Sequence, residues 1–156
     1  GTTKTPLPLM KSWVDTTAHR KDTWLVLVFH GIDGMGYEAL SSTMLDEYFH
    51  YIRSKEDHLW VATFGDVTRY IREREASKVA TNNRGDKITV SLNHPLDKGM
   101  YYLPLTLKTY VPSGWKNVKA TQGKQTHQLQ VKNDDKGSYV LYQAEPNGVN
   151  IVLAKV

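Results

Sequence analysis

Trp24-Leu25-Val26-Leu27-Val28-Phe29-His30-Gly31-Ile32-Asp33 is the stretch on which the reading of this chain turns. Five consecutive apolar residues, Leu25 to Phe29, stop at His30 and a glycine. A run that short, bounded by a glycine-containing loop, reads as a fully buried strand of a parallel sheet. His30 then stands at the C-terminal end of that strand. In α/β folds this is the edge where ligands bind and reactive side chains project.

The segments around it follow the same grammar. Upstream, Leu9, Trp13, Val14 and Thr17 share one face of a helix over 9–20. Downstream, Gly31, Gly34 and Gly36 mark a flexible loop, and Thr43 with Asp46 forms a T-x-x-D capping pattern. The helix this opens carries Leu45, Tyr48, Phe49 and Ile52 at i, i+3, i+4 and i+7. Leu59-Trp60-Val61-Ala62 reads as a second short buried strand. Thr63 with Asp66 repeats the cap, and a third helix turns Val67, Tyr70 and Ile71 inward and Arg69, Arg72, Glu73 and Glu75 outward. The order α-β-α-β-α is that of an α/β domain.

The period changes after residue 83. Ile88, Val90 and Leu92 alternate with polar residues, as do Leu103, Leu105 and Leu107, then Leu129 and Val131, then Val149, Ile151 and Leu153. Tyr139–Tyr142 is a further strand. Turn-forming stretches at 97–99, 112–114, 133–137 and 145–148 separate them. Short alternating strands punctuated in this way predict a small antiparallel β-sandwich. The polar stretch Thr81–Asp86 reads as the hinge. The expected fold is therefore α/β plus all-β: a partial α-β-α-β-α, barrel-like portion over 1–83, then a β-sandwich over 84–156.

Composition sets the outer limits. The chain has 156 residues, 40% of them hydrophobic, so a packed core is feasible and disorder is not expected. It has no cysteine, which removes disulfides and thiolate metal sites. No apolar run approaches the roughly 18–20 residues of a membrane span. The net charge of +4 is uneven: residues 1–83 hold 10 Lys/Arg against 11 Asp/Glu, and residues 84–156 hold 10 against 5. The lysines are spread singly along strands, as on a solvated sheet face, and no nucleic-acid partner is expected. Two buried strands cannot close a barrel, and open edges invite other chains. Their neighbours must be the sandwich, a second copy or the rest of a larger domain, so self-association through strand edges is expected. The start at Gly1 rather than Met likewise reads as a processed or engineered piece, the tail of something longer.

Two segments, Trp24–Gly31 and Leu59-Trp-Val-Ala-Thr-Phe-Gly-Asp-Val-Thr-Arg-Tyr-Ile-Arg-Glu-Arg74, resemble the end of a polysaccharide deacetylase (NodB-homology) domain. The resemblance covers 9–80, and 84–156 by architecture alone. It implies a distorted (β/α) barrel and hydrolysis of N- or O-acetyl groups on a polysaccharide or oligosaccharide, outside the cytoplasm. A divalent, zinc-like metal would polarise the carbonyl in the complete domain. The motif histidine, His30, would protonate the leaving group, which suits a side chain that titrates near neutral pH. Val28 would line a pocket for the acetyl methyl. The departures are equally definite. Gly31 replaces the family's Asp, and neither T-F-D-D nor H-[S/T]-x-x-H is present. The histidines at 19, 30, 50, 58, 94 and 127 include no pair three to five apart. By this reading the chain holds no metal itself and is an incomplete, inactive fragment.

Other candidates have two readings each. Asp33 and Tyr37 sit in the glycine-rich loop, where they either touch substrate or are merely solvated. Tyr101, Tyr102, Tyr110 and Trp115 either form a platform for sugar rings or fill the sandwich core, with Trp115 read as a core anchor. The alternative to a deacetylase fragment is a non-catalytic carbohydrate-binding or structural module.

Overall fold

In a computed structural model, which describes residues 5–20 and 22–156, the chain forms two compact units that divide at Phe64/Gly65. The fold is mixed: three helices and mostly antiparallel sheets.

The first unit is built on two helices. Helix α1 (Leu7–His19) starts at Pro6, whose fixed φ suits a helix start. Two two-residue strands follow, β1 (Gly31–Ile32) and β2 (Met35–Gly36), then helix α2 (Ser42–Arg53). The cap of α2 is Ser41, which accepts the Met44 N–H, and not the expected Thr43. Met10, Val14 and Tyr48 form the core, with Leu25, Leu27, Phe29, Ile52 and Leu59 packed on it. The fully buried Tyr48 hydroxyl donates to the Met10 carbonyl at 3.2 Å, tying α2 to α1.

The key stretch departs from expectation. Leu25–Phe29 joins no ladder among the described residues. Leu25, Leu27 and Phe29 face the helices, while Trp24, Val26 and Val28 are exposed, Val28 by 70%. That is the period-two pattern of extended chain packed on one side only. A fully buried strand needs paired neighbours and cover on both faces, and the described residues supply neither. Leu59–Ala62 is also outside any ladder. No closed barrel forms among the described residues.

The glycine-rich segment is a tight hairpin and not a flexible loop. Gly31 pairs with Gly36 and Ile32 with Met35 around Asp33-Gly34, whose φ values of 51° and 82° are those of a type I′ turn. A β-carbon on Gly31 would lie 1.9 Å from the Met35 carbonyl oxygen, so the close strand approach requires glycine there.

The second unit opens with helix α3 (Phe64–Ala76) and continues as β3 (Lys78–Arg84), β4 (Lys87–Asn93), β5 (Leu105–Tyr110), β6 (Asn117–Gln122), β7 (Gln125–Gln130), β8 (Lys132–Asp134), β9 (Gly137–Ala144) and β10 (Ile151–Lys155). One antiparallel sheet has the order β3-β4-β10-β6-β7, the other β5-β9-β8. Inward residues of both sheets share one core, including Ile88, Val90, Leu107, Val118, Val140, Ile151 and Leu153. This is a sandwich-like arrangement. Trp115 is buried in that core, as expected. The expected hinge at 81–86 is instead the β3–β4 turn: β3 pairs along its whole length with β4, and Gly85 takes the positive φ.

Candidate functional site

The sequence-based site residues fall into three situations. Val28 and His30 line one shallow cavity of about 110 Å³, with Met10, Trp13, Phe29 and Glu38. Tyr37 is exposed and stands edge-on to the His30 ring, 5.9 Å between centroids, outside the cavity lining. Asp33 is used locally. Its carboxylate accepts the Ser42 N–H at 2.8 Å, which fixes the hairpin to the start of α2. The backbone N–H and hydroxyl of Ser42 hold that carboxyl below the usual range. Among the described residues, the cavity lining contains no Lys or Arg. Among the described residues, no group of three or more His, Asp or Glu is placed to hold a metal ion.

A second cluster lies inside the sandwich unit, where the sequence suggested none. Glu73, expected to face outward, is fully buried. Its Oε1 accepts the Leu103 N–H at 3.2 Å, and its Oε2 faces His94 Nε2 at 3.7 Å. Oε2 has no hydrogen-bond partner among the described residues. Asn147, in a left-handed turn at φ 58°, accepts the His94 N–H at 3.0 Å and donates its own N–H to the Leu92 carbonyl. Its amide nitrogen lies 3.2 Å from His94 Nδ1 and 3.3 Å from Nε2, against the ring edge between them. Buried from solvent, this cluster cannot reach a polymer. Its role is to fasten α3 to the loops at one end of the sandwich.

The third cluster is exposed. Strands β5, β9 and β8 alternate, so Thr106, Lys108 and Tyr110, then Tyr139, Leu141 and Gln143, then Lys132 and Asp134 share the outer face of the smaller sheet. Asp134 bonds Lys108 and accepts the Tyr110 hydroxyl at 3.1 Å. The Lys108 ammonium lies 4.0 Å from the Tyr139 ring centroid. The Tyr110 and Tyr139 rings meet at 64°, 6.1 Å apart. Gln143 donates to Thr106 Oγ1 at 2.9 Å. Of the aromatics singled out as a sugar platform, only Tyr110 lies here. Tyr101 accepts from Arg72 beside α3, and Tyr102 lies outside any strand.

This clamp has a defined pH window. The Lys108 ammonium holds the Asp134 carboxyl below the usual range, and Asp134 holds Lys108 above its own. The Asp134 contribution is present above its unfolded value of about 3.9 and is lost as pH falls through the lowered folded value. The Lys108 contribution is full below about 10.4 and is lost as pH rises through its raised value. Ring signals of Tyr110 and Tyr139 in NMR are thus expected to stay constant from about pH 5 to 9 and to move in acid. Movement centred near neutral pH would contradict the assignment.

In comparison with known proteins, the chain is similar to a gellan lyase of Bacillus sp., with 30% identity over 106 residues. The match covers 67% of this chain and 4% of that protein, so the chain spans a small fraction of its relative's length. No family model matches the chain, and no solved structure matches it. These findings correct the resemblance read from the sequence. Nothing supports a deacetylase, and the relative is named as a gellan lyase. The reading of the chain as a deacetylase fragment falls with that family, and the acid role of His30 and the acetyl pocket at Val28 lose the resemblance they rested on.

Proposed function

We propose that this chain is a polysaccharide-holding module of a protein that acts on polysaccharides, of the lyase type. The observation that carries the reading is the similarity to a gellan lyase. Lyase chemistry removes a proton beside a sugar carboxylate and needs a cation or hydrogen-bond donors on that carboxylate, together with a base. Among the described residues, the His30 cavity offers an imidazole and the Glu38 carboxyl, with no Lys or Arg in its lining. That set favours a binding role for the chain. An extended sugar polymer as ligand favours a site outside the cytoplasmic membrane; no helix among the described residues is long and apolar enough to cross a membrane. Affinity electrophoresis of the full chain tests the proposal. Mobility is expected to fall in gels cast with gellan and to be unchanged in plain gels. Equal mobility in both would overturn it.

A second copy of the chain is the proposed partner of the exposed Thr23–Phe29 edge. Among the described residues the segment joins no ladder, and it carries no charge and no proline, so it lacks the devices that keep strand edges apart. Light scattering should give a mass that rises with concentration, and Val26→Lys should return it to the monomer value. A wild-type mass fixed at that of a monomer would refute this.

A further inference from the structure

We infer that the outer face of the β5-β9-β8 sheet is the sugar-contact site, and that its ligand is a carboxylate-bearing polysaccharide; this rests on the polysaccharide reading above. Three observations converge. First, the face is ordered in advance. An exposed sheet face needs no fixed side chains to fold, yet Asp134 holds both the Tyr110 hydroxyl and Lys108, and Lys108 lies over Tyr139. The strands lock these groups in register, so little side-chain entropy remains to be lost on binding.

Second, the chemistry suits sugars. Tyr110 is 42% exposed and Leu141 is exposed beside it, giving an apolar surface for sugar C–H faces. Gln143 and Thr106 border it at one end with amide and hydroxyl groups for sugar hydroxyls. From Thr106 to Tyr110 the face runs about 13 Å along the strand, which suits a polymer segment better than a single ring.

Third, the charge selects an anion. Lys132 is paired in register with Tyr139 and has no ion-pair partner among the described residues. Residues 84–156 carry twice as many Lys/Arg as Asp/Glu. A carboxylate on the polymer would meet Lys132 while a ring rests on Tyr110. Binding of this kind weakens as salt screens the charges.

Calorimetric titration of the full chain with gellan, polygalacturonate and uncharged dextran tests the inference. The wild type is expected to bind the acidic polymers, more weakly at high salt, and to ignore dextran. Tyr110→Ala and Lys132→Ala should each weaken binding about tenfold. Tyr102→Ala, exposed and off this face, should leave binding unchanged, and thermal melts should show all three variants folded. If the wild type binds and the Tyr110 and Lys132 variants bind as well as it does, the face is wrong while the polysaccharide reading stands. If dextran binds as well as the acidic polymers, the ligand class is wrong. If the wild type binds no polymer, both readings fall.

Discussion

Glu73→Ala is expected to destabilise the sandwich unit by about 3–5 kcal/mol, the range for removing one partner of a buried pair. The substitution removes the Glu73 carboxylate that the Leu103 N–H meets and leaves His94 facing a void. Glu73→Gln should cost clearly less, because its amide oxygen still accepts from Leu103. Urea unfolding followed by tryptophan fluorescence reads the difference, since Trp115 lies in the sandwich core. If the pair acts as a unit, Glu73→Ala and His94→Ala together should cost less than the sum of the two alone. Strict additivity would mean that the 3.7 Å approach carries no coupling.

Leu153→Ala should cost about 2–5 kcal/mol, as for other buried leucines. Leu153 is fully buried on β10, the middle strand of the five-stranded sheet, opposite Ile88 and Ala120. A void there is bordered by strands hydrogen-bonded on both sides, which restricts collapse around it. Leu153→Met, nearly equal in volume, should cost under about 1.5 kcal/mol. Leu141→Ala on the outer face should shift the urea midpoint little, because that side chain is already exposed. Equal losses for Leu153→Ala and Leu141→Ala would contradict the assigned inner and outer faces.

What could be read from the sequence depended on whether one face of an element was buried. Ile88, Val90 and Leu92 alternate because β4 has core on one side and solvent on the other. The same holds for β5 and β10. Strand β3 was invisible because all seven of its residues are exposed at a sheet edge, and polar Thr81–Arg84 looked like linker. Strand β7, the opposite edge, buries no residue fully. Strand β6 has only Val118 and Ala120 as buried apolar residues, too few to stand out. The apolar run Leu25–Phe29 was visible but misjudged. Apolarity on both faces records what a segment can bury, not what the chain places beside it.

The sites obeyed the same limit. Glu73 was assigned outward because a carboxylate on a helix is normally solvated. Its burial depends on Leu103 and His94, which only the fold brings near. For Tyr110 the sequence leaves both a sugar platform and the sandwich core open, because its neighbours Tyr139, Lys132 and Asp134 come from other strands and meet it through register alone. The likeness of residues 24–31 and 59–74 to deacetylase motifs is too short to fix a family. Neither the remaining motifs nor any family model supports it.

The measurement that bears most directly on the central claim is a titration of the isotope-labelled full chain with short gellan fragments, followed by amide chemical shifts. The account predicts that the moving signals cluster at Thr106–Tyr110, Lys132–Asp134 and Tyr139–Gln143. Shifts confined to the His30 cavity, or no shifts at all, would contradict it.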